Sequence, residues 1–128
     1  RTIIFRIKKN KYHMNLTIYH NPRCRKSREA LKYLDKLKLN YKLVKYLESP
    51  LNSDQIKEIL SILNISAFEL VRKNESLWKN NIKNKKLTEI ELINILVKNP
   101  KLIERPIIIK GKSGIIGRPI ENLISFVN

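Results

Sequence analysis

The stretch "TIYHNPRCRKSREALKYL", residues 17–34, decides how the chain is read, because it holds a strand end, a turn, a helix start and the only cysteine. "NLTIY" (15–19) is a short β-rich run that stops at the turn signal His20-Asn21-Pro22. From Arg25 the apolar residues Ala30, Leu31, Leu34 and Leu37 recur at helical spacing. "YKLVKYL" (41–47) then reads as a second strand, closed by Ser49-Pro50. Strand, helix and strand within so short a span imply a right-handed parallel crossover.

Outward from that unit the pattern changes twice. "NSDQIKEILSIL" opens with cap-type Asn52 or Ser53 and places Ile56, Ile59, Leu60 and Leu63 on one face. "SAFELVRK" carries its own serine cap, and "ESLWKNN" follows. In "LTEIELINILVKNP", Thr88 and Glu91 stand at capping-box spacing and Pro100 ends the helix. The chain closes with "PIIIK", a turn at "GKSG", "IIG", and a helix "PIENLISFV" whose first position is expected at Pro119. The order is βαβ, a helical insertion, then ββα. That predicts an α/β protein of thioredoxin-like fold with a mixed sheet.

With 128 residues, the chain is long enough for one domain. Residues 14–128 are expected to form it. Residues 1–13, "RTIIFRIKKNKYH", contain no acidic residue and precede the sole methionine, Met14. They read as an extension of uncertain status: an upstream addition, a misassigned start or a processed presequence. No apolar run reaches the ~18 residues of a membrane span, and one cysteine cannot close an internal disulfide, so a reducing cytoplasm is the expected location.

The formal net charge of +16 invites a nucleic-acid reading. The excess is mostly lysine, spread along the chain beside frequent Asn and Ile, as an AT-rich coding sequence would produce at permissive surface positions. Nucleic acid and membrane are therefore not expected as partners, and the protein is expected to be a monomer. Two histidines and one cysteine offer no zinc spacing, so no metal is expected. "GKSG" lacks the upstream glycine and following helix of a phosphate loop. His13 and Trp78 read as an exposed and a packing residue.

Cys24 falls at the strand-to-helix junction, where the helix dipole and free N–H groups favour an anion. His20, Arg23, Arg25, Lys26 and Arg28 add actual or potential positive charge. Cysteines in such settings have pKa values lowered from ~8.5 to between ~3.5 and ~7.5. A lone cysteine is commonly a small buried hydrophobe, but polar and cationic neighbours are poor company for a core position, and a reactive thiolate is the better reading. Ser27 completes a C-x-x-S pattern: it can hydrogen-bond a thiolate but cannot resolve a disulfide. An adduct on Cys24 must then be finished by an external thiol.

The stretch closely resembles the glutaredoxin-linked arsenate reductase family, whose sites carry Y-H-N-P-x-C. "YLESP", "ELVRKNE", "NPKLIERPIII" and "GRPIENLI" resemble that family's later blocks in the same order. The bulky Arg25 after the cysteine, with "HNPRC", "KSRE" and "ERPI", is similar to its arsenate-reductase-like branch. The resemblance implies that Cys24 attacks arsenate, that glutathione reduces the adduct and that glutaredoxin clears the mixed disulfide. It implies that His20, with Asn21 and Ser27 of the same loop, supports the thiolate. Arg72, Arg105 and Arg118 match three arginines that hold the oxyanion, and Pro106 matches a cis-proline facing the cysteine. Arginine forks suit a tetrahedral dianion because they bind oxygens bidentately at any working pH. No bound cofactor is implied; glutathione is an external reductant. Two alternatives stand: a glutathione-linked thiol oxidoreductase of other substrate, and an Spx-type regulator that binds RNA polymerase.

Overall fold

The computed structural model describes residues 15–128; the segment 1–13 and Met14 lie outside them. The backbone divides into two compact units. One comprises the residues up to Lys45 together with Arg105–Asn128, and the other is Tyr46–Glu104.

The first unit is built on β1 (Leu16–Tyr19), which alternates buried and half-buried residues. The helix α1 (Arg25–Lys36) returns the chain so that β2 (Tyr41–Val44) pairs parallel with β1, Leu16 opposite Tyr41 and Tyr19 opposite Val44. β3 (Ile107–Lys110) pairs antiparallel on the other side of β1, with Tyr19 opposite Ile107, and β4 (Ser113–Ile116) closes the sheet as a hairpin partner. The strand order is β2-β1-β3-β4. A mixed four-stranded sheet with helices packed on it is the expected thioredoxin-like arrangement.

Period-two and period-3.6 patterns meet in one apolar layer. Leu16 and Ile18 of β1 and Ile108 of β3 join Ala30 and Leu34 of α1. Leu123 and Val127 of α5 (Ile120–Val127) complete it. Each helix thus presents an i, i+4 pair to the same sheet face. α1 ends where Lys38 turns left-handed (φ 58°), and the Leu39 N–H closes on the Leu34 carbonyl at 3.1 Å. The β3–β4 loop is Gly111-Lys112, with Gly111 at φ 62°, a conformation glycine adopts without steric cost. The "GKSG" segment is accordingly a hairpin turn.

The second unit is helical. α2 (Ser53–Leu63) begins at a reciprocal Asn52–Gln55 capping box, and α4 (Glu89–Lys98) at the Thr88–Glu91 box. Between them α3 (Ala67–Leu70) starts at Ser66 but is only four residues long, because Val71 turns extended and bridges Ile103. A π-helical turn spans Trp78–Ile82, and a 3-10 turn spans Pro100–Leu102 after α4.

Three expected boundaries shift. The second strand stops at Val44 rather than reaching residue 47, and Tyr46 is fully buried beyond it. The helix expected over "SAFELVRK" loses its second half. Pro119 caps α5 with an extended backbone (ψ 170°) instead of forming its first turn.

Ile108 is fully buried, whereas Ile90 on α4 is 63% exposed. Truncating the first removes packing that the sheet cannot recover. Ile108→Ala is expected to lose about 2–5 kcal/mol of unfolding free energy, and Ile90→Ala less than about 0.5 kcal/mol, by urea denaturation.

Candidate active site

The parallel pairing of β1 and β2 carries on one step past the strands, as the His20 N–H bonds the Val44 carbonyl at 2.9 Å. The chain then turns through Asn21 and Pro22 to the helix. Asn21 shapes this turn three ways. Its carbonyl accepts the Cys24 N–H at 3.0 Å, its side-chain oxygen accepts the Arg23 N–H at 3.0 Å, and its own N–H bonds Ser27 Oγ at 3.4 Å.

Cys24 is the N-cap of α1, with extended φ −91° and ψ 123°. No side-chain cap of ordinary hydrogen-bond geometry closes on it, yet the charge-stabilising donors of the first turn converge there. Burial pushes the Cys24 thiol up. The Ser27 N–H and hydroxyl, the Lys26 N–H and the charge of Arg118 together outweigh it and hold the thiol below its ordinary value. Because Ser27 Oγ accepts the Asn21 N–H, its own hydrogen is left to point at the sulfur.

Cys24 is 8% exposed, so the choice between a buried cysteine and a thiolate dissolves. It is buried, and its surroundings favour the anion. The source of the charge also differs from the expectation. Arg25 turns outward, its side chain 84% exposed and paired with Glu29 at 3.5 Å; Lys26 shares Glu29 at 3.8 Å. Arg28 bonds the Pro22 carbonyl at 3.0 Å. These residues flank the cysteine in sequence, but the helix turns their side chains to solvent. The cation that reaches the sulfur is Arg118, ninety-four positions away (118 − 24).

His20 is 3% exposed. Burial lowers its pKa, and the charges of Lys45 and Arg28 lower it further against a hydrogen bond to the Ser27 backbone. It is therefore a neutral imidazole at neutral pH and contributes no formal charge. Its Nδ1 has no hydrogen-bond partner among the described residues.

Arg105 and Arg118 reach one end of the sheet through the hairpin register. Ile107 stands opposite Ile116, and the next rung is the Gly117 N–H to Pro106 carbonyl bond of 2.8 Å. Arg105, which is buried, and Arg118, half-buried, follow on either side. Tyr19 pairs with Ile107, so the β1 end leading to Cys24 lies at that same end. The Arg105–Pro106 bond is cis; so is Arg118–Pro119, which the sequence reading did not single out. Arg72 belongs to the helical unit. Its N–H bonds the Leu102 carbonyl at 2.6 Å and its guanidinium lies 3.9 Å from Glu75. No group of His, Cys, Asp and Glu among the described residues could hold a metal ion, and no described helix is long and apolar enough to cross a membrane.

A single thiol at a helix N-terminus on a thioredoxin-like sheet, with two arginine–proline segments beside it, defines a one-cysteine thiol protein. The profile of the ArsC family matches residues 19–126. The uncharacterised protein YfgD of Escherichia coli K12 is 44% identical over 112 residues, covering 86% of this chain and 94% of that one. An arsenate reductase of Neisseria meningitidis serogroup A is 36% identical over 110 residues, covering 84% and 94%. The solved structure of an arsenate reductase from Vibrio cholerae superposes with a TM-score of 0.82 at 33% identity, covering 88% of this chain and 97% of that one. The chain belongs to the ArsC family.

The origin of the lowered thiol pKa is testable by the pH dependence of alkylation with neutral iodoacetamide. Ser27→Ala is expected to move the midpoint upward, and Arg118→Gln to move it in the same direction. Arg25→Gln is expected to leave it in place. The folded thiol titrates below the unfolded one. The thiolate's contribution to stability is therefore complete above the unfolded thiol's range and is lost as pH falls through the folded value. Cys24→Ser should lack that part of the stability profile in urea titrations at several pH values.

Proposed function

We propose that the protein is a glutathione- and glutaredoxin-dependent arsenate reductase with Cys24 as its nucleophile. The observation that carries this reading is the placement of Arg118, whose charge reaches the Cys24 sulfur while the hairpin register holds Arg105 at the same sheet end. An oxyanion there is neutralised as the thiolate approaches it, which relieves the repulsion between two anions. Arg72, on the second unit, enters the proposal through the family resemblance alone.

The thiolate attacks arsenic(V), forming a sulfur–arsenic bond while one arsenate oxygen, protonated, leaves as water. A glutathione thiolate then attacks the Cys24 sulfur. A disulfide forms, and the sulfur–arsenic electron pair stays on arsenic, which departs as arsenite, arsenic(III). Glutaredoxin returns Cys24 to the thiol by exchange. The chain has no second cysteine to do this itself. Buried, neutral His20 supports the arrangement through the Ser27 backbone rather than by charge.

Arsenate-dependent NADPH consumption, coupled through glutathione, glutaredoxin and glutathione reductase, tests the proposal, with thioredoxin and its reductase as a parallel arm. Turnover is expected in the glutaredoxin arm and should vanish in Cys24→Ser. Wild-type rates in that variant would sink the mechanism. A Cys24 that alkylates readily but shows no arsenate turnover would move the search to another substrate. Arg105→Lys keeps the charge but loses the fork, and is expected to raise KM for arsenate about tenfold with the iodoacetamide rate unchanged.

A further inference from the structure

The cations flanking Cys24 are not the ones that set its pKa. They still form a dense exposed rim: Arg23, Arg25, Lys26 and Arg28 occupy four of six consecutive positions, all exposed. Glu29 is the one carboxylate paired with them, shared by Arg25 and Lys26. The rim continues across the sheet end. Lys45, exposed just after β2, and Arg28 on α1 both impose their charge on the buried His20. His20 itself, with Nδ1 unpartnered among the described residues, lies one turn from the thiol. Five positive side chains against one negative leave a strong local field over a cysteine that only an outside thiol can turn over.

We propose that this exposed cationic rim selects anionic thiols as the external reductant of Cys24, drawing in a carboxylate-bearing thiol faster than a neutral or cationic one. The inference rests on the reading that Cys24 is resolved from outside. It assigns Arg23, Arg25, Lys26, Arg28 and Lys45 to recognition of the second co-substrate, leaving Arg105 and Arg118 to the first. Charge complementarity of this kind acts on association rates by factors of about ten or more and fades with salt. In the step concerned, the incoming thiolate attacks the Cys24 sulfur of a mixed disulfide. A new sulfur–sulfur bond forms, and the former partner leaves as its thiolate.

The test needs no arsenate. Cys24 is converted to its mixed disulfide with thionitrobenzoate, and release of the yellow thionitrobenzoate anion is timed with mercaptosuccinate, glutathione, mercaptoethanol and cysteamine. Each rate is divided by that of the same thiol on the thionitrobenzoate disulfide of N-acetylcysteine, which removes differences in intrinsic nucleophilicity. The normalised rates should fall in that order, by about tenfold between the ends at low salt, and converge as ionic strength shortens the screening length to ~3 Å. Arg23→Glu with Arg25→Glu should flatten or invert the order; the milder Arg23→Gln with Arg25→Gln should compress it. Equal normalised rates in the wild-type protein, or an unchanged order in both variants, would overturn the proposal. A failed arsenate assay would leave this readout intact, so the two readings fall separately.

Discussion

One hydrogen bond, from the Gly117 N–H to the Pro106 carbonyl, holds the sheet end on which the chemistry depends. It extends the β3–β4 ladder by a rung past the strands and so sets two arginine–proline segments opposite each other. The rung is possible only with a bare backbone at 117. A Cβ there would stand 2.6 Å from Ile108 Cδ1 and 3.3 Å from Pro106 Cγ, well inside contact distance for the first. Ile108 is itself fully buried in the layer that seats α1 and α5 on the sheet. Packing of the core and placement of the arginines are thus one constraint. The antiparallel pairing of β1 with β3 brings the Cys24 turn to the same edge, as Tyr19 stands opposite Ile107.

At that edge two opposing effects act on a single sulfur. Removing a thiolate from water disfavours it, and burial is the largest influence on Cys24. The donors that overcome it were ordered by folding and require no reorganisation when charge appears. They are the second and third amides of α1, the Ser27 hydroxyl and a guanidinium from the far end of the chain. Ser27 is the junction. It takes the Asn21 N–H on its oxygen, offers its own hydrogen toward Cys24, and lends its backbone to His20. The same burial that raises the thiol keeps His20 neutral, so no imidazolium competes with Arg118 for an incoming anion.

Local signals in the sequence were readable where the interaction they describe is local. The Asn52 and Thr88 caps sit where the residue types place them because each closes within three positions. The βαβ and ββα halves follow from hydrophobic period, and Leu16, Ile18, Ala30 and Leu34 are all in the core. What the sequence hid depends on tertiary contact. α3 stops after four residues because Val71 leaves to bridge Ile103, thirty-two positions on (103 − 71). Arg25 and Lys26 look like thiolate partners in a linear reading, but helical geometry turns them to solvent. Arg118 was picked out by a family pattern and an adjacent proline, and only the hairpin register explains how its charge reaches Cys24.

The separation of inner from outer cations carries a physical logic of its own. A charge used to stabilise a buried thiolate must be fixed and desolvated, which arginine tolerates because it keeps its proton in any surroundings. A charge used to attract a second, larger anion works best exposed and mobile, where it extends the field into solvent at little desolvation cost. Arg118 meets the first requirement. Arg25, 84% exposed and only loosely held by Glu29, meets the second. Had the rim pointed inward, its charges would have neutralised the thiolate and left nothing to guide the reductant. The helix angle that turns residues 25 and 26 outward while directing their backbone N–H groups and that of Ser27 inward lets one turn serve both anions.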